Sequence, residues 1–286
     1  MKLCLGTVQF GLDYGINNVR GKVPEEEIPR ILKFAGDSGI DMLDTAAAYG
    51  DSESVLGKAM AETGKNFRII TKYPANTEIR PLRRIDTSLE SLKTERVYGY
   101  LFHNYSIFSE RRDYIDDFVK VKESGKSEKT GFSLYYPYEA EYIMKNNIPC
   151  DIVQIPYNIF DQRFACLLPE LKKHGIEIHV RSVFLQGLFF IAPEKLDDCF
   201  DSVKGKLTEI NRLAEEYSIN TAALCLAFAC YNSDISHIVI GVDSLDDLRS
   251  NVDSCNLIKT VNIPCDVFER FAVDDENIIL PFNWRK

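Results

Sequence analysis

A repeating alternation constrains this chain more than any single residue does. Eight short apolar segments recur along it, each followed by residues with helical spacing, and no Pro/Gly/Ser-rich linker divides them. The segments run from Leu3 to Thr7, Ile40 to Leu43, Phe67 to Ile70, Val97 to Phe102, a short stretch closing at Gly131-Phe132-Ser133, Asp151 to Ile155, Ile176 to Val180, and Ile238 to Ile240. Between them, sets such as Ile28, Ile31, Leu32 and Ala35, or Leu82, Ile85, Leu89 and Leu92, mark one apolar face of a helix. Eight strand-then-helix units in 286 residues predict a closed (β/α)8 TIM barrel, α/β in class, rather than a doubly wound open sheet. A single domain over residues 1–286 is expected.

Local signals sharpen the boundaries. Pro24-Glu25-Glu26-Glu27 reads as the opening of the first helix, since proline suits the first turn and acids suit the amino end. Further helices are expected over Glu53 to Met60, Pro81 to Leu92, Tyr114 to Val121, from Pro137, around Phe164 to Leu171, Leu207 to Tyr217, Ala222 to Cys230 and Leu245 to Val252. The helix from Ala222 is apolar nearly all round, which burial against the barrel explains. Pro193 to Lys206 reads as a surface segment.

A net charge of -9 argues against a general nucleic-acid or anionic-membrane binder, while leaving room for a local basic pocket. No run of 18 apolar residues is present, and the amino terminus meets Gly and Gln too soon for a signal peptide. The eight cysteines are scattered without a Cys-x-x-Cys pair, so they read as reduced, packed thiols in a cytoplasmic protein.

In a β/α barrel the carboxyl ends of the strands converge, and here they carry ionisable groups. The second strand delivers Asp44 with Tyr49 in the loop after it, the third Lys72 and the fourth His103. Each has a bland reading alone: a turn aspartate, a packed tyrosine, a surface amine, a hydrogen-bonded core-edge histidine. Together they form an acid–base set. A free tyrosine, with a pKa of about 10, is a poor acid at neutral pH. A nearby ammonium is expected to lower it, with Asp44 keeping Lys72 charged and placed. His103 would donate a hydrogen bond to a substrate oxygen. His174, His179 and His237 share no metal-ligand spacing, so no metal site is expected.

These positions, with Gly6-Thr7, Asp44-Thr-Ala-Ala-Ala-Tyr49-Gly50, Leu-Phe-His103, Gly131-Phe132-Ser133, Gln154-Ile-Pro-Tyr-Asn158, Arg181-Ser182-Val-Phe-Leu-Gln-Gly187-Leu188 and Ile240-Gly241 onward to Asn251, resemble the aldo-keto reductase family over nearly the whole chain. The resemblance implies an NAD(P)H-dependent reductase of aldehydes or ketones that binds its cofactor extended. It implies Tyr49 as general acid, Lys72 and Asp44 tuning it, and His103 orienting the carbonyl. It implies Ser133 and Gln154 at the nicotinamide carboxamide, and Thr7 and Asp44 near the nicotinamide ribose. Gly6, Arg181, Ser182, Gly187, Gly241, Ser244, Arg249 and Asn251 would complete the cofactor site. Three positions depart from the pattern. Leu134 stands where many relatives have Asn, Arg181 where many have a stacking Tyr, and Asp247 where a basic residue is expected for a 2′-phosphate. Family precedent favours NADPH and Asp247 favours NADH, with Arg249 as a compensating cation.

Two rival readings differ in class: a nicotinamide-sensing regulatory subunit, and a lyase or isomerase using Lys72 as a Schiff-base amine. The expected partner is a small carbonyl compound, with no nucleic acid, no membrane and no obligate protein. Phe10, Tyr14, Tyr135, Tyr157, Phe184 and Trp284 are candidates for the pocket mouth. The stretch Ile278 to Trp284 is short for a covering loop, which implies an open pocket for a sugar-like or other polar carbonyl.

Overall fold

Strand β1 (Leu3–Gly6) pairs in parallel with both β2 (Met42–Asp44) and β8 (Ile235–Gly241), and that double pairing closes the sheet. Between them β3 (Arg68–Tyr73), β4 (Val97–Phe102), β5 (Ser127–Ser133), β6 (Ile152–Pro156) and β7 (Glu177–Arg181) follow in chain order, every pairing parallel. The structure, a computed structural model, describes residues 2–284. It is a single-domain (β/α)8 barrel, as the alternation predicts.

The two-residue period of a strand explains how the site is placed. Cys4, Met42, Ile70, Leu101 and Ile152 form a small cluster of their own, apart from the large apolar layer shared by strands and helices. Their strand neighbours Leu5, Leu43, Ile69 and Val153 belong to that outer layer, so the small cluster is the barrel's interior. Two residues further on, the same inward face carries Gly6, Asp44, Lys72, His103 and Gln154. The interior apolar layer is thus the floor beneath a polar layer at the carboxyl end of the strands.

Several boundaries differ from expectation. The first long helix is Ile28–Asp37, starting four residues after Pro24 with Pro29 in its first turn. Glu27 instead accepts a hydrogen bond from the Leu245 backbone N–H at 2.9 Å. A helical turn, Val8–Gly11, follows β1. Strand β5 begins at Ser127, earlier than its polar residues suggest, pairs there with Val97 of β4, and carries Lys129 against Glu177 at the barrel base. The helix Asp201–Glu216 begins inside the expected surface segment. The apolar helix Thr221–Cys230 is buried, and among the described residues no helix is long and apolar enough to cross a membrane. All eight cysteines are free thiols.

One close approach shows how tightly the strands are set. A Cβ added to Gly131 would lie 1.8 Å from the carbonyl oxygen of Ile152 on the neighbouring strand. Backbone cannot yield as a flexible side chain does. Gly131→Ala is therefore expected to destabilise the fold by about 1–3 kcal/mol, in the range of overpacked cores. A lowered urea midpoint with unchanged slope is the expected reading.

Candidate active site

Asp44 ends β2 and is 2% exposed. Its Oδ1 accepts from Lys72 Nζ at 2.6 Å, its Oδ2 from Gln154 Nε2 at 2.7 Å, and its carbonyl from the Thr7 N–H at 2.9 Å. Lys72 Nζ also donates to the Thr45 carbonyl at 2.9 Å. A second small network, Thr7 Oγ1 to Ser52 Oγ at 2.9 Å and Ser52 Oγ to Thr45 Oγ1 at 3.1 Å, pins the loop that carries Tyr49. Gly11 lies against the same loop, where a Cβ would meet the Tyr49 carbonyl at 1.8 Å.

Tyr49 therefore stands over a buried ion pair, with Lys72 Nζ 5.2 Å from its ring centroid. The His103 ring meets it edge-on, centroids 5.5 Å apart. Both rings line a cavity of about 910 Å³ at the carboxyl end of the barrel. Its wall includes Asp44, Ser133, Gln154, Arg181, Gly241 and Asn251. Gly6, Thr7, Ser182 and Gly187 line it as well, so residues from seven separate stretches of chain meet in one space.

The electrostatics of the pair correct one expectation. Burial, and next the Asp44 carboxylate, push the Tyr49 phenol well above its ordinary value; Arg181 opposes them. Lys72 does not bring the resting phenol down, because its ammonium is spent on Asp44 and Thr45. Tyr49 therefore rests in its protonated, phenol form. Burial, reinforced by the charges of Lys72 and Arg181, lowers His103 from 6.5 to about 3, so its ring is neutral at pH 7.

Three expected site residues stand off the cavity wall. Lys72 is one layer behind it, bonded to Asp44. Ser244 caps the helix Leu245–Leu257, its hydroxyl accepting from the Asp247 N–H at 3.1 Å and donating to Asp247 Oδ2 at 2.8 Å. Arg249 pairs with Asp246 at 2.9 Å over the Phe34 ring, away from the cavity. Of the aromatic candidates, Tyr14, Tyr135 and Phe184 line the cavity. Phe10 is core, Tyr157 stacks on Phe228 and Trp284 packs against Phe200.

Gln9 and Asp243 are lining residues that sequence reasoning passed over. Each follows a strand end by a few residues, the place where a barrel collects its site, and that was their only signal. Buried Gln9 Oε1 and Asp243 Oδ1 are acceptors without a partner. They face the end of β8, where Asp247 also reaches the wall.

Residues 2–262 match the aldo/keto reductase family. The chain belongs to that family. An uncharacterised oxidoreductase of Bacillus subtilis is 26% identical over 79% of this chain and 81% of its own length. L-galactose dehydrogenase of Arabidopsis thaliana is 23% identical over 91% of this chain and 88% of its own. Among solved structures, an aldo-keto reductase from Bacillus halodurans in its holo form superposes with a TM-score of 0.75 at 19% identity, covering 96% of this chain and 93% of that one. As a family, aldo/keto reductases are oxidoreductases of small carbonyl compounds that use a nicotinamide cofactor.

At the opposite, amino-terminal end, Glu177, His179 and His237 converge with candidate ligand atoms within 4.8 Å of one another. Sequence spacing did not foretell this grouping. Glu177 already accepts from His179 Nε2 at 2.7 Å, Tyr98 Oη at 2.8 Å and Lys129 Nζ, and Arg68 stands 3.4 Å from His237 Nε2. Burial raises the Glu177 carboxyl, but the hydrogen bonds from the histidines and Lys129 outweigh it and hold the group far below its usual range. Its neighbours already supply the positive charge that a metal would bring.

The state of His103 has a sign that can be checked. The unfolded chain takes up this proton near 6.5, the folded chain only near 3. Its contribution to stability is complete above 6.5 and is lost progressively as pH falls toward 3. His103→Gln should therefore lose less stability than the parent between pH 7.5 and 4.5 in paired urea titrations. The His103 ring proton resonances should stay flat from pH 8 to 5.

Proposed function

We propose that this chain is an NADH-preferring carbonyl reductase in which Tyr49 gives the proton. The observation that carries this reading is the protonated Tyr49 beside a neutral His103, both on the wall of one cavity above the Asp44–Lys72 pair. When bound, the nicotinamide supplies the hydride. As the carbonyl oxygen gains charge, Tyr49 Oη donates its proton and a neutral His103 N–H donates a hydrogen bond. A high phenol pKa does not prevent this, because an alkoxide is a far stronger base than a phenolate. The positive charge of Arg181 favours the phenolate once the proton has left.

The cavity's polar wall suits a nicotinamide dinucleotide. Ser133 Oγ and Gln154 Oε1 are available to a carboxamide, since Gln154 spends only its Nε2 on Asp44. Gln9 Oε1 and Asp243 Oδ1 lack donors, which ribose hydroxyls would provide. A 2′-phosphate has no donor to offer there and would face Asp243 and Asp247. Arg249, the candidate compensating cation, is turned to Asp246. This reverses the family-based preference for NADPH. The Schiff-base reading loses its nucleophile, because Lys72 Nζ is buried in hydrogen bonds and does not reach the cavity.

Two measurements test the proposal. Tyr49→Phe should lower kcat by about 10²–10⁴-fold while NADH affinity, read by fluorescence quenching, stays close to the parent's. Unchanged turnover would remove Tyr49 from its role. In parallel titrations, NADH should bind at least about tenfold more tightly than NADPH, and Asp247→Asn with Asp243→Asn should narrow the gap. A tighter Kd for NADPH would overturn the cofactor assignment.

A further inference from the structure

We propose that the carbonyl substrate of this site carries a carboxylate and that Arg181 receives it. The inference rests on the reading that Tyr49 protonates a substrate oxygen in this cavity, and it names the class of that substrate. The observation is a cation in ion-pair contact with no carboxylate among the described residues. Asp44 and Lys72 cancel within 2.6 Å of each other, and His103 is neutral. Among the described residues lining the cavity, Arg181 is the one lysine or arginine.

Arg181 ends β7 and is half-buried. Its Nη2 donates to the Leu134 carbonyl at 3.0 Å and its Nη1 approaches Ser182 Oγ at 3.4 Å; both acceptors are neutral. A guanidinium has five N–H donors, so most of its fork is unused. Glu139, a nearby buried carboxylate, spends Oε2 on the backbone N–H groups of Tyr135 and Tyr136 at 2.7 and 3.0 Å. The guanidinium is also held in place. It lies 4.2 Å over the Tyr135 ring, which in turn meets Phe282 edge-on at 5.0 Å.

A planar, immobilised, half-desolvated cation with free parallel donors fits a carboxylate in two-point contact. The rest of the cavity directs an anion the same way. Asp243 and Asp247 repel negative charge at the end of β8, whereas Arg181 acts on the residues that meet the reacting oxygen, lowering both the Tyr49 and His103 pKa. A cofactor pyrophosphate is the competing anion, but it joins the two halves of the dinucleotide, many bonds from the nicotinamide C4 that meets the substrate.

The test compares 4-carboxybenzaldehyde with its neutral methyl ester under saturating NADH, in the parent and in Arg181→Met. The parent should favour the carboxylate by at least about tenfold in kcat/KM. Arg181→Met should bring the ratio near one by lowering kcat/KM for the carboxylate far more than for the ester, and Arg181→Lys should restore part of it. Equal use of both aldehydes by the parent would overturn the proposal. So would a large loss of NADH binding in Arg181→Met with the ratio intact, which would assign Arg181 to the pyrophosphate. If neither aldehyde is reduced, the reductase reading fails, and calorimetric binding of benzoate against benzamide to the NADH-loaded protein decides the ligand class separately. Benzoate binding abolished in a folded Arg181→Met variant supports the proposal; benzoate binding that is absent or indifferent to Arg181 overturns it.

Discussion

The buried pair of Asp44 and Lys72 is the interaction on which the site depends. Two opposite charges almost wholly removed from water are tolerable only when paired and hydrogen-bonded, and losing one partner of such a pair typically costs about 3–5 kcal/mol. Here the solution uses Lys72 from β3, Gln154 from β6 and the Thr7 backbone after β1, all converging on one residue of β2. Because β2 and β6 stand apart in the eight-strand ring, the Gln154 contact crosses the interior. The pair is thus a tie across the barrel as well as a support beneath Tyr49.

Its second consequence is cancellation. With Asp44 and Lys72 neutralising each other, the net charge near Tyr49 is set by what remains, and that is Arg181. At the end of β8 it is set by Asp243 and Asp247. The cavity therefore has a polarity along its length. Asp247 has a local reason to be acidic, since it completes a capping interaction with Ser244 at a helix amino end, where negative charge is favoured. One residue serves helix stability and, in the proposed function, rejects a cofactor phosphate.

Much of the fold was legible because its signals are periodic. Apolar runs alternating with helical spacing pointed to the barrel, and the convergence of its strand ends grouped Asp44, Lys72 and His103. The carboxyl ends of β2, β4, β6 and β7 were read to within a residue. Signals carried by distant contacts were not legible. Glu27 reads as a helix-opening acid until Leu245, far along the chain, claims it. The polar start of β5 reads as a loop until Glu177 is seen opposite Lys129. The level of the Tyr49 phenol depends on how the Lys72 ammonium is shared, and a list of residue types cannot show that division. The same holds for Arg249, whose helical phase turns it to Asp246 rather than to the cavity.

Strand β7 shows how one barrel separates stability from chemistry. Over five residues it carries Glu177 and His179 at the base and Arg181 at the mouth. At the base the carboxylate is surrounded by Tyr98, Lys129 and His179, donors from β4, β5 and β7 that lock neighbouring strands. Every charge there is answered by another. At the mouth the same strand leaves a guanidinium whose hydrogen-bond partners among the described residues are neutral oxygens. A half-buried cation is easily satisfied, as Glu177 shows for the reverse sign only two turns of the pleat away. Leaving Arg181 without an acid forgoes stability that the fold readily obtains elsewhere, and that difference is what marks the carboxyl end of β7 as a place for a ligand.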